Sequence, residues 1–266
     1  MAAASSRGAM VAITGASSGI GRALALEWAR RGASVVLSAR NEGALKGVAK
    51  EVRDAGGEAF VEVGDVTREE DRVRIVERAT REKGRLDVLV NNAGRGYYGT
   101  LRTIELAELE ALFALNVLAP LRLAQLATGA LEKTSGTIVM LSSIAGVVAA
   151  PRLGAYAASK FALEALSMSL RAELAKSGVK VLVIRPGPVD TPFRANSVTT
   201  DGQPGVRPPG AKVQTPEEVA RMTVRAVERG AAVVETTAFV KVASMTARVA
   251  PAAFRVITRM MAGRPA

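Results

Sequence analysis

The sequence predicts an α/β protein, a doubly wound parallel sheet of seven strands in a single domain. Short apolar runs alternate with helical stretches along most of the 266 residues. Parallel strands need such crossovers, and their right-handed sense covers both faces of the sheet. The first run ends in a glycine-rich turn that opens a helix, the start of a βαβ unit. The length suits one sizeable core. Hydrophobic residues make up 48% and charged residues 23%, which argues against both a disordered chain and a membrane-embedded bundle.

Taken in order, residues 10–13 are the first strand. A helix follows over 20–31, with apolar positions at Ile20, Leu24 and Trp28, and Gly32 stops it. Residues 34–37 form a second strand and 42–54 a second helix. Further strands are expected at 59–63, 88–90, 137–141, 179–184 and 231–235. Residues 187–215 are broken by repeated Pro and Gly, so they read as a mobile lid beside the carboxyl edge of the sheet. The domain spans residues 9–238 on this reading, after a disordered alanine-rich start at 1–8.

The tail, residues 239–266, is apolar but basic. Lys241, Arg248 and Arg255 recur every seven residues, and Pro251 divides the stretch. It reads as a basic amphipathic segment that docks on anionic lipid or against the protein itself.

The formal net charge is +11, which attracts phosphates in general. The basic residues are spread and aromatics are only 4%, so a nucleotide cofactor or an anionic membrane surface accounts for the charge better than nucleic acid does. The chain has no Cys and no His, hence no disulfide, no thiolate zinc site and no expected metal. The run Glu69, Glu70, Asp71 reads as the acidic first turn of a helix, not a cation site. No run of about eighteen apolar residues and no apolar leader is evident. A cytoplasmic protein, with peripheral membrane contact at most, is the expectation.

Without histidine, proton transfer near neutrality must use Tyr, Lys, Ser or a carboxylate. Tyr156 and Lys160 stand four residues apart, and Ser143 lies thirteen residues upstream. On one helix face, the lysine charge could lower the phenol towards working pH. A drop of two to three units corresponds to roughly 3 to 4 kcal/mol of charge stabilisation.

The turn Gly15, Ala16, Ser17, Ser18, Gly19, Ile20, Gly21 lets the backbone approach a pyrophosphate lying on a helix amino terminus, as in a Rossmann fold. About twenty residues on, NAD-binding chains carry an acidic residue for the ribose diol. Here the neighbourhood is Ser38, Ala39, Arg40. A guanidinium that can fork onto a phosphate favours NADP(H), with NAD(H) still admissible.

Over nearly its whole length the chain resembles the short-chain dehydrogenase/reductase family. Residues 14–21 resemble that family's cofactor turn, Asp65 and Val66 its adenine contact, and Asn91, Asn92, Ala93, Gly94 its motif after the fourth strand. Asn116 matches the family's helix asparagine, Ser143 its catalytic serine and Tyr156 to Lys160 its YxxxK. Pro186 and Gly187, with Val189 and Thr191 following, look like its nicotinamide-side loop. Ala39 stands where NAD-using members carry aspartate, and Arg40 matches the arginine of many NADP-using members. The basic residue that some of those members place inside the turn is missing, since Ser17 and Ser18 stand there.

The resemblance implies that Tyr156 protonates a carbonyl oxygen as hydride reaches its carbon. It implies that Lys160 holds the nicotinamide ribose, that Ser143 binds the substrate oxygen, and that Asn116 holds a water leading to Lys160. The apolar Val147, Val148, Leu153, Pro188 and Phe193 suggest a lipophilic carbonyl or alcohol substrate. A noncatalytic dinucleotide-binding regulator on the same fold is the alternative. Members of the family usually form homodimers or homotetramers through helices that fall here at about 105–130 and 155–176.

Overall fold

The computed structural model describes residues 7–200 and 212–250. Seven strands form one parallel sheet: β1 Met10–Thr14, β2 Ser34–Ala39, β3 Glu58–Val63, β4 Val88–Asn91, β6 Thr137–Leu141, β7 Lys180–Arg185 and β9 Val233–Glu235. Their order is β3-β2-β1-β4-β6-β7-β9, every neighbouring pair parallel. Two further strands, β5 Tyr97–Tyr98 and β8 Val198–Thr199, pair only with each other.

The helices are α1 Gly19–Ala29, α2 Glu42–Asp54, α3 Glu69–Lys83, α4 Leu106–Phe113, α5 Ala119–Glu132, α6 Gly154–Glu173, α7 Pro216–Arg229 and α8 Ala238–Val249. Alternating strand residues feed two cores. Val11 and Ile13 pack with Trp28, Leu45 and Val219 of α1, α2 and α7. Met10 and Ala12 pack with Ile75, Leu123 and Leu163 of α3, α5 and α6. Both faces are covered, as a parallel sheet with near-continuous apolar strands requires.

The expected elements are present, with shifted ends. Helix α1 stops at Ala29, because Arg31 and Gly32 already turn back onto the carbonyls of Trp28 and Ala29. β9 begins two residues late because Ala231 still donates to Ala226 in the turn that ends α7 at Gly230. Of the expected 1–8 segment, residues 1–6 lie outside the described ones, and the Gly8 amide donates to the Gly32 carbonyl at 2.9 Å.

Helices α4 and α5 are joined through a π-helical turn, Ala114–Leu118. Together they make one helical stretch, Leu106–Glu132, apolar over most of its length. By length and composition alone it could cross a membrane. The sequence shows no unbroken apolar run there because Glu108, Glu110, Asn116 and Arg122 interrupt it. In the fold it packs on α3, α6 and β4.

The run Glu69, Glu70, Asp71 is the first turn of α3, as expected. Asp71 accepts the Asp65 amide at 2.7 Å and pairs with Arg74. Among the described residues no group of His, Cys, Asp and Glu is arranged to hold a metal.

Candidate active site

β1 lies between β2 and β4, so the chain reverses its direction of winding there. That crevice, at the carboxyl ends of the strands, is where such sheets bind ligands. The glycine turn leaves β1 and the Asn91–Gly94 segment leaves β4, and Thr14 pins the two together. Its hydroxyl accepts the amides of Asn92 and Ala93, both at 3.1 Å. The Asn92 side chain donates to the carbonyls of Thr14 and Gly15 at 2.9 and 3.1 Å. A Cβ on Gly21 would overlap the Gly15 carbonyl and come within 2.6 Å of Asn92 Nδ2. Packing thus demands that glycine whether or not a ligand is bound. Gly19, at φ +53°, faces the Thr191 methyl, which brings the nicotinamide-side loop onto the turn.

These residues fit a dinucleotide. Ser18 occupies the N-cap of α1 but makes no side-chain cap, and the first turn holds no acidic residue. α2, α7 and α8 are capped by Asn41, Thr215 and Thr237, whereas α3, α4, α5 and α6, like α1, make no side-chain cap. What sets α1 apart is that its positive end opens on the glycine turn in the crevice, where it suits an external anion. Farther out, Arg40, Gly64, Asp65, Arg68 and Arg74 border a cavity of about 390 Å³. Arg40 is 82% exposed and approaches Asp65 at 4.0 Å, which leaves it able to fork onto a phosphate. Asp65 is tied by the Thr67 amide and hydroxyl at 2.9 and 2.8 Å, and Val66 is buried in the core.

On the other side of the crevice, α6 carries Tyr156 and Lys160, both almost fully buried. Ser143 ends the segment after β6; its hydroxyl accepts the Ala145 amide at 3.1 Å and is hydrogen-bonded to Tyr156. The Phe193 ring lies over Tyr156, centroids 5.9 Å apart, with Tyr97, Leu112, Leu153 and Val198 around them.

Two site residues have neighbours that the sequence reading did not specify. Lys160 was expected to lower the phenol. Instead its Nζ donates to the Leu141 carbonyl at 2.7 Å and lies 5.9 Å from the Tyr156 ring centroid. Burial dominates and pushes the phenol up; the Ser143 hydrogen bond opposes this and the facing Tyr98 adds to it. Burial also brings Lys160 down to about 8, with Glu164 opposing the fall.

Asn116 sits in the π turn with its side chain already engaged. Its amide donates to the Arg95 carbonyl and to Ser159 Oγ at 2.9 and 3.1 Å, and its oxygen accepts the Arg95 amide at 3.0 Å. Both amide hydrogens are spoken for, so this side chain has none to give a water.

Sequence reading passed over Thr14 as a site residue, although it heads the glycine motif. Tyr98 carries no motif; it is buried, paired with Thr199 in the β5–β8 ladder, and acts on Tyr156. No side-chain pattern announces a two-residue ladder between segments a hundred residues apart. The expected lid is held at Val189 and Gln214 by a bridge and at residues 198–199 by β8; residues 201–211 lie outside the described ones.

Residues 9–202 match the family whose description is short chain dehydrogenase. The chain belongs to that family. Among curated relatives, this dehydrogenase is 35% identical over 224 residues to the glycine betaine reductase ATRR of Emericella nidulans, covering 84% of this chain but only 18% of that far longer protein. It is 36% identical over 188 residues to an uncharacterized oxidoreductase of Staphylococcus saprophyticus, covering 70% of this chain and 80% of the relative. Among solved structures, the alcohol dehydrogenase of Thermococcus sibiricus, complexed with 5-hydroxy-NADP, superposes with a TM-score of 0.76 at 29% identity, over 85% of this chain and 95% of that one.

Proposed function

We propose that this chain is an NADP(H)-dependent oxidoreductase that moves a hydride between the nicotinamide and a lipophilic carbonyl compound or secondary alcohol. The observation that carries the reading is the Ser143–Tyr156 hydrogen bond amid a cluster of buried apolar side chains, with Lys160 one turn along the same helix. When bound, the cofactor supplies the hydride. Tyr156 gives its phenolic proton to the carbonyl oxygen, and Ser143 donates a hydrogen bond to the same oxygen, worth a few kcal/mol as negative charge develops there. Lys160 turns from the Leu141 carbonyl towards the ribose hydroxyls, where its charge stabilises the phenolate. Any water relay at Asn116 then rests on that residue's backbone oxygen, since its amide hydrogens are taken.

Gly15, Ser17, Ser18, Gly19, Ile20 and Gly21 hold the pyrophosphate, and Asp65 and Val66 the adenine. Asn92, Ala93 and Gly94 support the nicotinamide ribose, while Pro186, Gly187, Val189 and Thr191 close over the ring. Arg40 takes the 2′-phosphate. The exposure of Arg40, the lack of a carboxylate at Ala39 and the NADP-type ligand of the Thermococcus sibiricus relative support that preference. The test is a screen of aldehydes, ketones and steroid-like carbonyls followed by NADPH absorbance. Turnover of none of them, or turnover only with NADH, would sink the reading.

The exposure of Leu118 just before α5 and of Phe161 and Met168 on α6 supports a homodimer or homotetramer through α5 and α6, and light scattering decides it. The stripe Val242, Met245 and Val249 on α8 is exposed beside Lys241, which supports contact of the tail with anionic lipid. The Arg248 side chain, Pro251 and Arg255 lie outside the described residues. Liposome flotation of full-length and tail-deleted protein tests this contact.

A further inference from the structure

Behind Lys160 lies a buried ionic cluster that takes no part in the steps above. Glu164 follows Lys160 by one turn of α6, so the two side chains share a face. Arg185 grips its carboxylate with two bonds, Nε to Oε1 at 2.9 Å and Nη2 to Oε2 at 2.8 Å. The remaining arm, Nη1, donates to Glu235 at 3.1 Å. The side chains of Arg185 and Glu164 are only 6% and 11% exposed.

The elements that meet here are those of the site. Arg185 ends β7 and leads into Pro186 and Gly187, and Glu235 ends β9. The short turn after Ser143 rests on Glu164: a Cβ on Gly146 would come within 3.0 Å of Glu164 Cγ and 3.2 Å of Oε1. One carboxylate therefore joins the helix of Tyr156 and Lys160, the turn that carries Ser143, and the strand that launches the nicotinamide-side loop.

Three cations meet two carboxylates here: Lys160, Arg185 and Arg171, whose guanidinium lies on the Val181 and Ala232 carbonyls and also acts on Glu164 and Arg185, face Glu164 and Glu235, and a buried ammonium without such compensation is costly. Lys160 also meets Tyr156 on its own helix, the Leu141 carbonyl from β6, Gly94 from the segment after β4 and, beside Gly94, Asn116 of the π turn. Of these only Tyr156 is ionisable. Glu164 is thus the nearest compensating charge among the described residues, with Arg185 and Glu235 acting behind it.

We propose that Glu164, gripped by Arg185, is a positioning residue that keeps Lys160 cationic in the buried site and locks the Ser143 turn and the Pro186–Gly187 strand end to α6. This role rests on Tyr156 and Lys160 being the acid/base pair. The test reads the Lys160 protonation midpoint directly, by NMR titration of the full chain labelled at lysine 13Cε, without cofactor.

Glu164→Gln lowers the midpoint by about one pH unit, and Glu164→Asp restores most of it. Arg185→Gln, which removes the cation that grips both carboxylates, raises it. Loosened packing alone has no reason to move the midpoint in opposite directions for opposite charges. Should Glu164→Gln fail to fold, Arg185→Gln and Glu235→Gln decide by the same signs, the latter lowering the midpoint by less. A midpoint unmoved in every folded variant, or moved the same way by Glu→Gln and Arg→Gln, overturns the proposal. In each variant the alkaline limb of kcat/KM against pH follows the NMR midpoint. Turnover with an unmoved midpoint refutes this role alone; a shifted midpoint without carbonyl turnover refutes the assigned reaction and leaves the cluster's electrostatic effect standing.

Discussion

Lys160 Nζ donates to the carbonyl oxygen of Leu141 at 2.7 Å, so a helix lysine is anchored to the last residue of a core strand and not to the phenol one turn away. The ammonium is buried, and its pKa is brought from 10.5 down to about 8. Below about pH 8 both folded and unfolded chains hold the proton, and the burial cost is fully felt. Between about 8 and 10.5 the folded chain releases it while the unfolded chain keeps it, so this group makes stability rise with pH, by at most about 3 kcal/mol. Above about 10 the Tyr156 phenol, raised in the fold, stays protonated while its unfolded counterpart ionises, and its contribution falls. Melting curves of wild type and Lys160→Met from pH 7 to 10 should converge or cross as pH rises. A difference in stability independent of pH would contradict the burial account.

Tyr156→Phe removes the phenolic proton and keeps the ring that packs under Phe193. Turnover should fall by at least about a thousandfold, the upper range for loss of one positioned acid. Cofactor affinity, followed by fluorescence quenching, should change by less than about threefold, within ~0.7 kcal/mol. Substantial residual turnover would remove Tyr156 from the proposed chemistry.

Ala39 ends the second strand, and Arg40, the next residue, borders the same cavity as Asp65. Replacing Ala39 by Asp and Arg40 by Ala exchanges a phosphate partner for a diol partner. The ratio of kcat/KM for NADPH over NADH should drop by on the order of a hundredfold, about 2.7 kcal/mol for a lost charge-assisted pair and a new repulsion. An unchanged ratio would make Arg40 an ordinary surface arginine.

Gly96 lets the β5 segment lie against the loop that carries Phe193. A Cβ there would come within 2.5 Å of Ser197 Oγ and 3.1 Å of the Phe193 ring. Gly96→Ala should push that loop off Tyr156 and raise the substrate KM several-fold, while the KM for cofactor, bound on the far side of the crevice, stays put. Equal changes in both constants would show a general loss of packing.

The sheet, its helices and the cofactor turn were legible because each rests on local, repeating rules. Buried parallel strands demand apolar runs, crossovers demand helices between them, and a helix opening on a phosphate demands glycines. Tyr156, Lys160 and Ser143 were legible because four residues is one helical turn and because no histidine competes for the role. The ends of α1 and β9 were not, since they depend on which carbonyl a turn amide reaches.

The direction of the Tyr156 shift was misjudged for a related reason. Spacing brings Lys160 to the correct face, but whether its charge reaches the phenol depends on the Leu141 carbonyl and on burial by Phe193 and Tyr98, residues 15 to 58 positions away. By itself, then, the sequence determined the architecture, the family and the set of candidate groups, because periodicity and spacing are properties of the chain. Only the tertiary structure decided which neighbour each group meets: Thr14 joining two loops, Asn116 closed by Arg95 and Ser159, and Glu164 gripped by Arg185 one turn along from Lys160. Hydrogen bonds and burial are settled by contacts between distant segments, and those exist only once the sheet has closed.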